Sequence, residues 1–136
     1  MISRRAFPRP SLGAALAALL FAAAPLKSHA ASALAYLDTD KDGTVDLAEA
    51  KSAAGNTFDK LDKDGDGTLD VKEARAHLSK KDFQAADPDS DGTLTKDEYL
   101  SWTEKQFKAA DPDGDGTLDV KELRSKAGSA LLHMVH

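Results

Sequence analysis

The 136-residue chain contains no cysteine. Disulfide staples, thiolate metal sites and cysteine nucleophiles are therefore excluded, and metals that prefer sulfur lose their favoured donor. Aromatic residues make up only 6 %, with a single tryptophan, and methionine occurs only at positions 1 and 134. That leaves little material for a methionine-rich groove of the kind that captures helical partners. Residues 1–30 hold no Asp or Glu, whereas residues 31–136 carry 23 acidic against 14 basic residues, a formal charge of −9. Such a balance works against nucleic acid and anionic lipid as partners and favours cations.

The acid-free stretch has its own order. Arg4, Arg5 and Arg9 precede an apolar run from Leu12 to Ala24, followed by Pro25 and the small-x-small site Ser28-His29-Ala30. Basic, apolar and cleavable regions in that sequence predict a secretory signal peptide over 1–30. The apolar run is shorter than the roughly 20 residues that span a bilayer. Ser3-Arg4-Arg5-Ala6-Phe7 resembles the twin-arginine export motif, with an ordinary charged leader on the Sec route as the alternative. Either route predicts a periplasmic protein with no membrane anchor after processing, leaving one domain over 31–136.

That domain is an internal repeat. Four twelve-residue segments align without a gap: Asp38–Glu49, Asp62–Glu73, Asp87–Glu98 and Asp111–Glu122. Each has Asp at positions 1, 3 and 5, Gly at 6, Thr at 7, an aliphatic residue at 8 and Glu at 12, which resembles the EF-hand loop. Of the 23 acidic residues only Asp59, Asp82 and Glu104 lie outside these segments. The negative charge is organised around four sites.

The chemistry of a hard cation accounts for the pattern. Calcium takes six to eight oxygens at about 2.3–2.6 Å, and alternating carboxylates on a tightly curled loop supply them. The expected ligands are Asp38, Asp40, Asp42, Thr44, Asp46 and Glu49 in loop 1, and Asp62, Asp64, Asp66, Thr68, Asp70 and Glu73 in loop 2. Loop 3 offers Asp87, Asp89, Asp91, Thr93 and Glu98, and loop 4 offers Asp111, Asp113, Asp115, Thr117, Asp119 and Glu122. The threonines contribute backbone carbonyls, and each Glu closes its site from the first turn of the following helix. Val45, Leu69, Leu94 and Leu118 are expected to bury inward and to join loops through short strand pairs, whose partners the sequence leaves open.

The flanks predict helices. Leu34, Phe58, Phe83 and Phe107 sit four residues before a loop, and Leu37, Leu61, Ala86 and Ala110 one residue before, the stripe of a helix entering the site. Tyr99, Leu100 and Trp102 load the third inter-loop segment with core residues. The gaps between loops are 12, 13 and 12 residues. Two helices of the average ~11–12 residues and a turn do not fit there. One shared helix per gap does, about 18 Å long at about 1.5 Å per residue. Gly55-Asn56 weakens the first such helix, Ser79-Lys80-Lys81-Asp82 reads as a fresh capping box inside the second, and Gly128-Ser129 interrupts the tail before Leu131. The fold class is therefore all-α, a compact fused EF-hand bundle of three inter-loop helices carrying four metal loops with short paired strands.

Over residues 34–136 the chain resembles the lanmodulins, periplasmic EF-hand proteins that bind lanthanides. The resemblance rests on the short gaps, Pro88 and Pro112 at loop position 2, Asp46, Asp70 and Asp119 at position 9, and the tail Ala127-Gly128-Ser129-Ala130-Leu131. It implies lanthanide(III) ions, with calcium as a competitor, as the bound metals. Thr39 and Lys63 depart from the pattern at position 2, and Thr95 at position 9 leaves loop 3 with four ligand-position carboxylates against five elsewhere. Loop 3 is accordingly expected to be the weakest or most calcium-like site.

Metal uptake is expected to drive folding. Four divalent ions bring the formal charge of 31–136 from −9 to −1 and four trivalent ions bring it to +3. Because unfolded chain has no assembled site, binding free energy becomes folding free energy. Sequestration or transport of lanthanides in the periplasm is the function this implies, and a periplasmic calcium buffer or sensor is the rival. A protein partner is left unidentified. No enzyme is expected: His77, His133 and His136 are scattered, and no nucleophile setting is visible.

Overall fold

Position 9 of every loop caps a helix. In the computed structural model, which describes residues 29–135, Asp46, Asp70, Thr95 and Asp119 each accept the backbone N–H of the loop's closing Glu. The Glu side chain in turn accepts the N–H of the capping residue. These are capping boxes. They start α2 (Leu47–Leu61), α3 (Val71–Ala74), α5 (Lys96–Ala110) and α6 (Val120–Leu123). α1 (His29–Leu37) precedes loop 1, α4 (Lys80–Ala86) enters loop 3, and α7 (Lys126–Val135) ends the described chain.

The all-α fused bundle expected from the repeat is what forms. The first and third gaps are single shared helices of 15 residues, α2 and α5. The middle gap is split: α3 ends at Ala74 and α4 begins only after Ser79, whose hydroxyl accepts the Asp82 N–H. Of the capping box read from the sequence, the Ser79 half is present and starts α4, while α3 has already ended at Ala74, so this gap holds two short helices in place of one. The other two expected breaks do not occur. α2 runs through Gly55-Asn56, and α7 runs through Gly128-Ser129, with the interruption falling earlier, between Leu123 and Lys126. The segment 1–30, expected to be an export signal, lies outside the described residues, save for His29 and Ala30, which open α1.

Four short strands follow the position-6 glycines. β1 (Val45–Asp46) pairs antiparallel with β4 (Thr117–Leu118), and β2 (Thr68–Asp70) with β3 (Thr93–Thr95). Loop 1 is therefore joined to loop 4, with Val45 opposite Leu118, and loop 2 to loop 3, with Leu69 opposite Leu94. All four of those aliphatic side chains are fully buried, so the strand pairs are roofed by the core.

The core lies between α2, α5 and α7. Phe58 of α2 meets Tyr99 of α5 edge to face, ring centroids 5.7 Å apart, an arrangement worth about 0.5–1.5 kcal/mol beyond the burial itself. The Tyr99 hydroxyl donates to the Met134 carbonyl at 2.7 Å, tying α5 to the terminal helix. Burial pushes its phenol well above the ordinary range. Leu131, Leu132, Met134 and Val135 seat α7 in the same core. Outside it, Glu104 on α5 bridges Lys51 of α2 and Lys108, at 2.6 and 2.7 Å. No helix among the described residues is long and apolar enough to cross a membrane.

Candidate metal centre

Each loop is curled by its own first residue. The carboxylate of Asp38 accepts the Gly43 N–H at 2.9 Å, and the same bond recurs from Gly67 to Asp62, Gly92 to Asp87 and Gly116 to Asp111 at 2.9, 3.0 and 3.0 Å. The turn requires positive φ at position 6, between 85° and 91° in the four loops, a region closed to most side chains. Position 4 is left-handed as well, a feature the sequence reading missed. Gly65 and Gly114 adopt it in loops 2 and 4, while Lys41 and Ser90 are forced into it at φ 63° and 57°. The alternation of Gly with non-Gly at that position was the available signal.

Positions 5 and 7 lock together. In every loop the position-5 carboxylate accepts both the backbone N–H and the hydroxyl of the position-7 threonine: Asp42 from Thr44, Asp66 from Thr68, Asp91 from Thr93 and Asp115 from Thr117, all within 2.7 to 2.9 Å. That threonine hydroxyl explains why Thr stands at position 7 four times, where the carbonyl alone would accept any residue.

The remaining carboxylates converge. Oxygens of Asp38, Asp40 and Glu49 lie within 4.8 Å of one another, as do those of Asp87, Asp89 and Glu98, and of Asp111, Asp113 and Glu122. Loop 2 gathers Asp62, Asp64 and Asp66, with Glu73 outside the group. There Glu73 accepts from the Lys63 and Asp70 amides at 3.1 and 3.2 Å. Asp42, Asp91 and Asp115 at position 5 and Asp46, Asp70 and Asp119 at position 9, all expected as ligands, stand outside these groups, and the position-9 carboxylates cap helices, accepting the closing Glu N–H at 2.7 to 2.8 Å. Thr95 does the same work in loop 3, so a hydroxyl replaces a carboxylate there without loss of the cap.

Crowding leaves an electrostatic record. At Asp40 the Asp42 amide pulls the carboxyl down, but lost hydration and the nearby charges of Asp42 and Glu49 win, raising it above its ordinary value. Asp64 is raised for the same reasons, by Asp66 and Glu73. Asp89 is raised chiefly through its contact with Asp87. Position 1 goes the other way. Burial pushes Asp38, Asp87 and Asp111 up, yet the loop amides, Gly43, Gly92 and Gly116 foremost, outweigh it and hold them below the usual range. Clustered oxygens that repel one another, with no nitrogen or sulfur among them, fit a hard cation and no soft one.

The EF-hand family model matches residues 31–50, 56–76, 81–101 and 103–125, one stretch for each loop and its flanking helices. A search among curated proteins returned no match. The four matched stretches cover more than half of the chain and coincide with the four acidic groups, so the protein belongs to the EF-hand family and binds metal ions of the calcium type through four loops.

Proposed function

We propose that this is an exported, lanmodulin-like protein that takes up lanthanide(III) ions in preference to calcium and folds as it does so, for sequestration or transport in the periplasm. The observation that carries the reading is the fused architecture. Two of the three gaps are single 15-residue helices that leave one loop and enter the next, so neighbouring sites share one rigid element and their charges cannot be separated. The proposed ligands are the carboxylates at positions 1, 3, 5 and 12 and the carbonyls of Thr44, Thr68, Thr93 and Thr117. Asp46, Asp70 and Asp119 add negative charge behind them while capping the helices.

Charge is the physical basis of the preference. One added unit of ionic charge gains roughly 4 kcal/mol per carboxylate at about 4 Å with an effective dielectric constant near 20, against the harder dehydration of a trivalent ion. More carboxylates per loop tilt that balance toward the trivalent ion. The N-terminal order of basic, apolar and small residues supports the periplasmic assignment. Competition between calcium and lanthanum for the purified chain, followed by helicity in circular dichroism, tests the proposal. Lanthanum displacing a large excess of calcium supports it. Equal or better retention of calcium points instead to a calcium buffer or sensor, for which the same all-oxygen donor set is suited.

A further inference from the structure

Loop 1 differs from the others in how its closing glutamate is held. Glu49 Oε1 accepts the Thr39 N–H at 2.6 Å, the Thr39 hydroxyl at 2.8 Å and the Asp40 N–H at 3.4 Å. Its second oxygen accepts the Asp46 N–H at 3.1 Å. Both ends of the loop therefore grip one carboxylate. Elsewhere the entering side contributes less. In loop 2 the only such bond described is the Lys63 amide to Glu73 at 3.1 Å. In loops 3 and 4 position 2 is Pro88 or Pro112, which has no N–H and no hydroxyl to give. Among the described contacts, Glu98 and Glu122 are held only by their own helix caps.

We infer that Thr39 is a positioning residue that sets the affinity of loop 1 by fixing Glu49 over the site. Position 2 is not itself a ligand position, so its side chain acts through position 12. An unrestrained glutamate must be collected from several rotamers before it can close a site, and that ordering costs free energy at the moment of binding. Thr39 settles the orientation beforehand with two donors from one residue, both short and both to a charged acceptor, the stronger class of hydrogen bond. Outer partners of metal ligands act in this way, and their removal typically lowers affinity by 10–100-fold. Because Thr39 is exposed and bonds nothing in the core, its substitution leaves the bundle intact.

The inference rests on Glu49 being a ligand, as proposed above, but not on which ion fills the loop. The test follows the amide resonances of Gly43, Gly67, Gly92 and Gly116 in the full chain as calcium, and separately lanthanum, is added. Each glycine reports one loop. Thr39→Val, which keeps the N–H and loses the hydroxyl, is expected to weaken loop 1 about tenfold, Thr39→Pro to weaken it further, and Thr39→Ser to restore it, with loops 2 to 4 unmoved. Wild-type filling of loop 1 in both Thr39→Val and Thr39→Pro, or an equal loss across all four loops, overturns the role of Thr39. Glu49→Gln separates the two levels: if loop 1 still fills as in the wild type, the ligand assignment itself falls, and the inference with it.

Discussion

Loops 1 and 3 lead into helices of 15 residues, whereas loops 2 and 4 lead into helices of four. The same two classes differ at position 4. Loops 1 and 3 force Lys41 and Ser90 into left-handed backbone, and loops 2 and 4 place Gly65 and Gly114 there. With glycine, the position-4 amide reaches the first Asp at 2.7 Å, Gly65 to Asp62 and Gly114 to Asp111. In the odd loops the position-5 amide bonds the first Asp, Asp42 to Asp38 at 3.1 Å and Asp91 to Asp87 at 3.3 Å, beside weaker contacts from the position-4 amides of Lys41 and Ser90. Each two-stranded sheet joins one loop of each class, 1 with 4 and 2 with 3. A loop anchored on a long helix but strained at its tip is thus always paired with a relaxed loop on a short one.

The short exits need bracing from outside, and α7 supplies it to both. His77, just past α3, donates from Nδ1 to the His133 carbonyl at 2.6 Å. Gly128 presses α7 against the backbone of α6, so closely that a Cβ there would meet the Glu122 carbonyl oxygen and stand 2.6 Å from Leu123 Cα. The terminal helix therefore touches the residues that follow loops 2 and 4, and through Tyr99 it also touches the residue that follows loop 3.

Acid produces the largest expected effect and cuts across the two classes. The carboxyls of Asp40, Asp64 and Asp89 are held above their ordinary value of 3.8. A raised carboxyl lets protons compete at higher pH, so ion affinity is full well above that value and falls as pH drops through the raised one. Loops 1, 2 and 3 are expected to release calcium early in an acid titration, odd and even together, as read from the amide resonances of Gly43, Gly67 and Gly92. Release confined to one class would break the account of the crowding.

Helical glycines come next. Gly128→Ala overpacks α7 against α6 and is expected to cost about 1–3 kcal/mol in urea unfolding of the calcium-loaded protein. Gly55→Ala, in α2, meets only Lys96 Cε at an ordinary 3.5 Å and should stabilise by about 0.5–1 kcal/mol. Equal effects at the two sites would mean that α7 does not brace the short exit.

At position 4 the sign should reverse between classes. Gly65→Ala and Gly114→Ala are expected to cost about 1–2 kcal/mol, and Lys41→Gly and Ser90→Gly to relieve a similar left-handed penalty. The same denaturation midpoints measure both. Smallest of all is Thr95→Asp. If position 9 acts as a cap, loop 3 affinity for calcium changes little; a gain of tenfold or more by calorimetry would make position 9 a ligand after all and restore loop 3 as the carboxylate-poor site.

Much of this was legible because the repeat carries its chemistry in fixed register. The twelve-residue pattern gave the loops, and the two gaps of 12 residues forced shared helices, whereas the gap of 13 split. Ser79 marked the start of α4 as its N-cap, although the consequence, two short helices, depended on α3 stopping at Ala74. Gly55 and Gly128 were misleading because propensity is a local quantity. Gly55 is buried against α5 and Gly128 is selected by contact with α6, so packing overrides the roughly 1 kcal/mol that glycine costs a helix. Loop pairing was not legible at all, since Val45, Leu69, Leu94 and Leu118 are equivalent in pattern and only the three-dimensional path decides which meet. The Thr39 grip on Glu49 was hidden for the same reason: the two are ten residues apart and meet only when the loop curls.

The most direct test of the central claim is the stoichiometry of ion uptake by the purified, chelator-treated chain at neutral pH, measured by calorimetry with helicity followed in parallel. Four equivalents of lanthanum or calcium, one for each acidic group, accompanied by a gain in helix, is the predicted result. Uptake of neither ion, or helicity that stays the same from empty to filled, contradicts it.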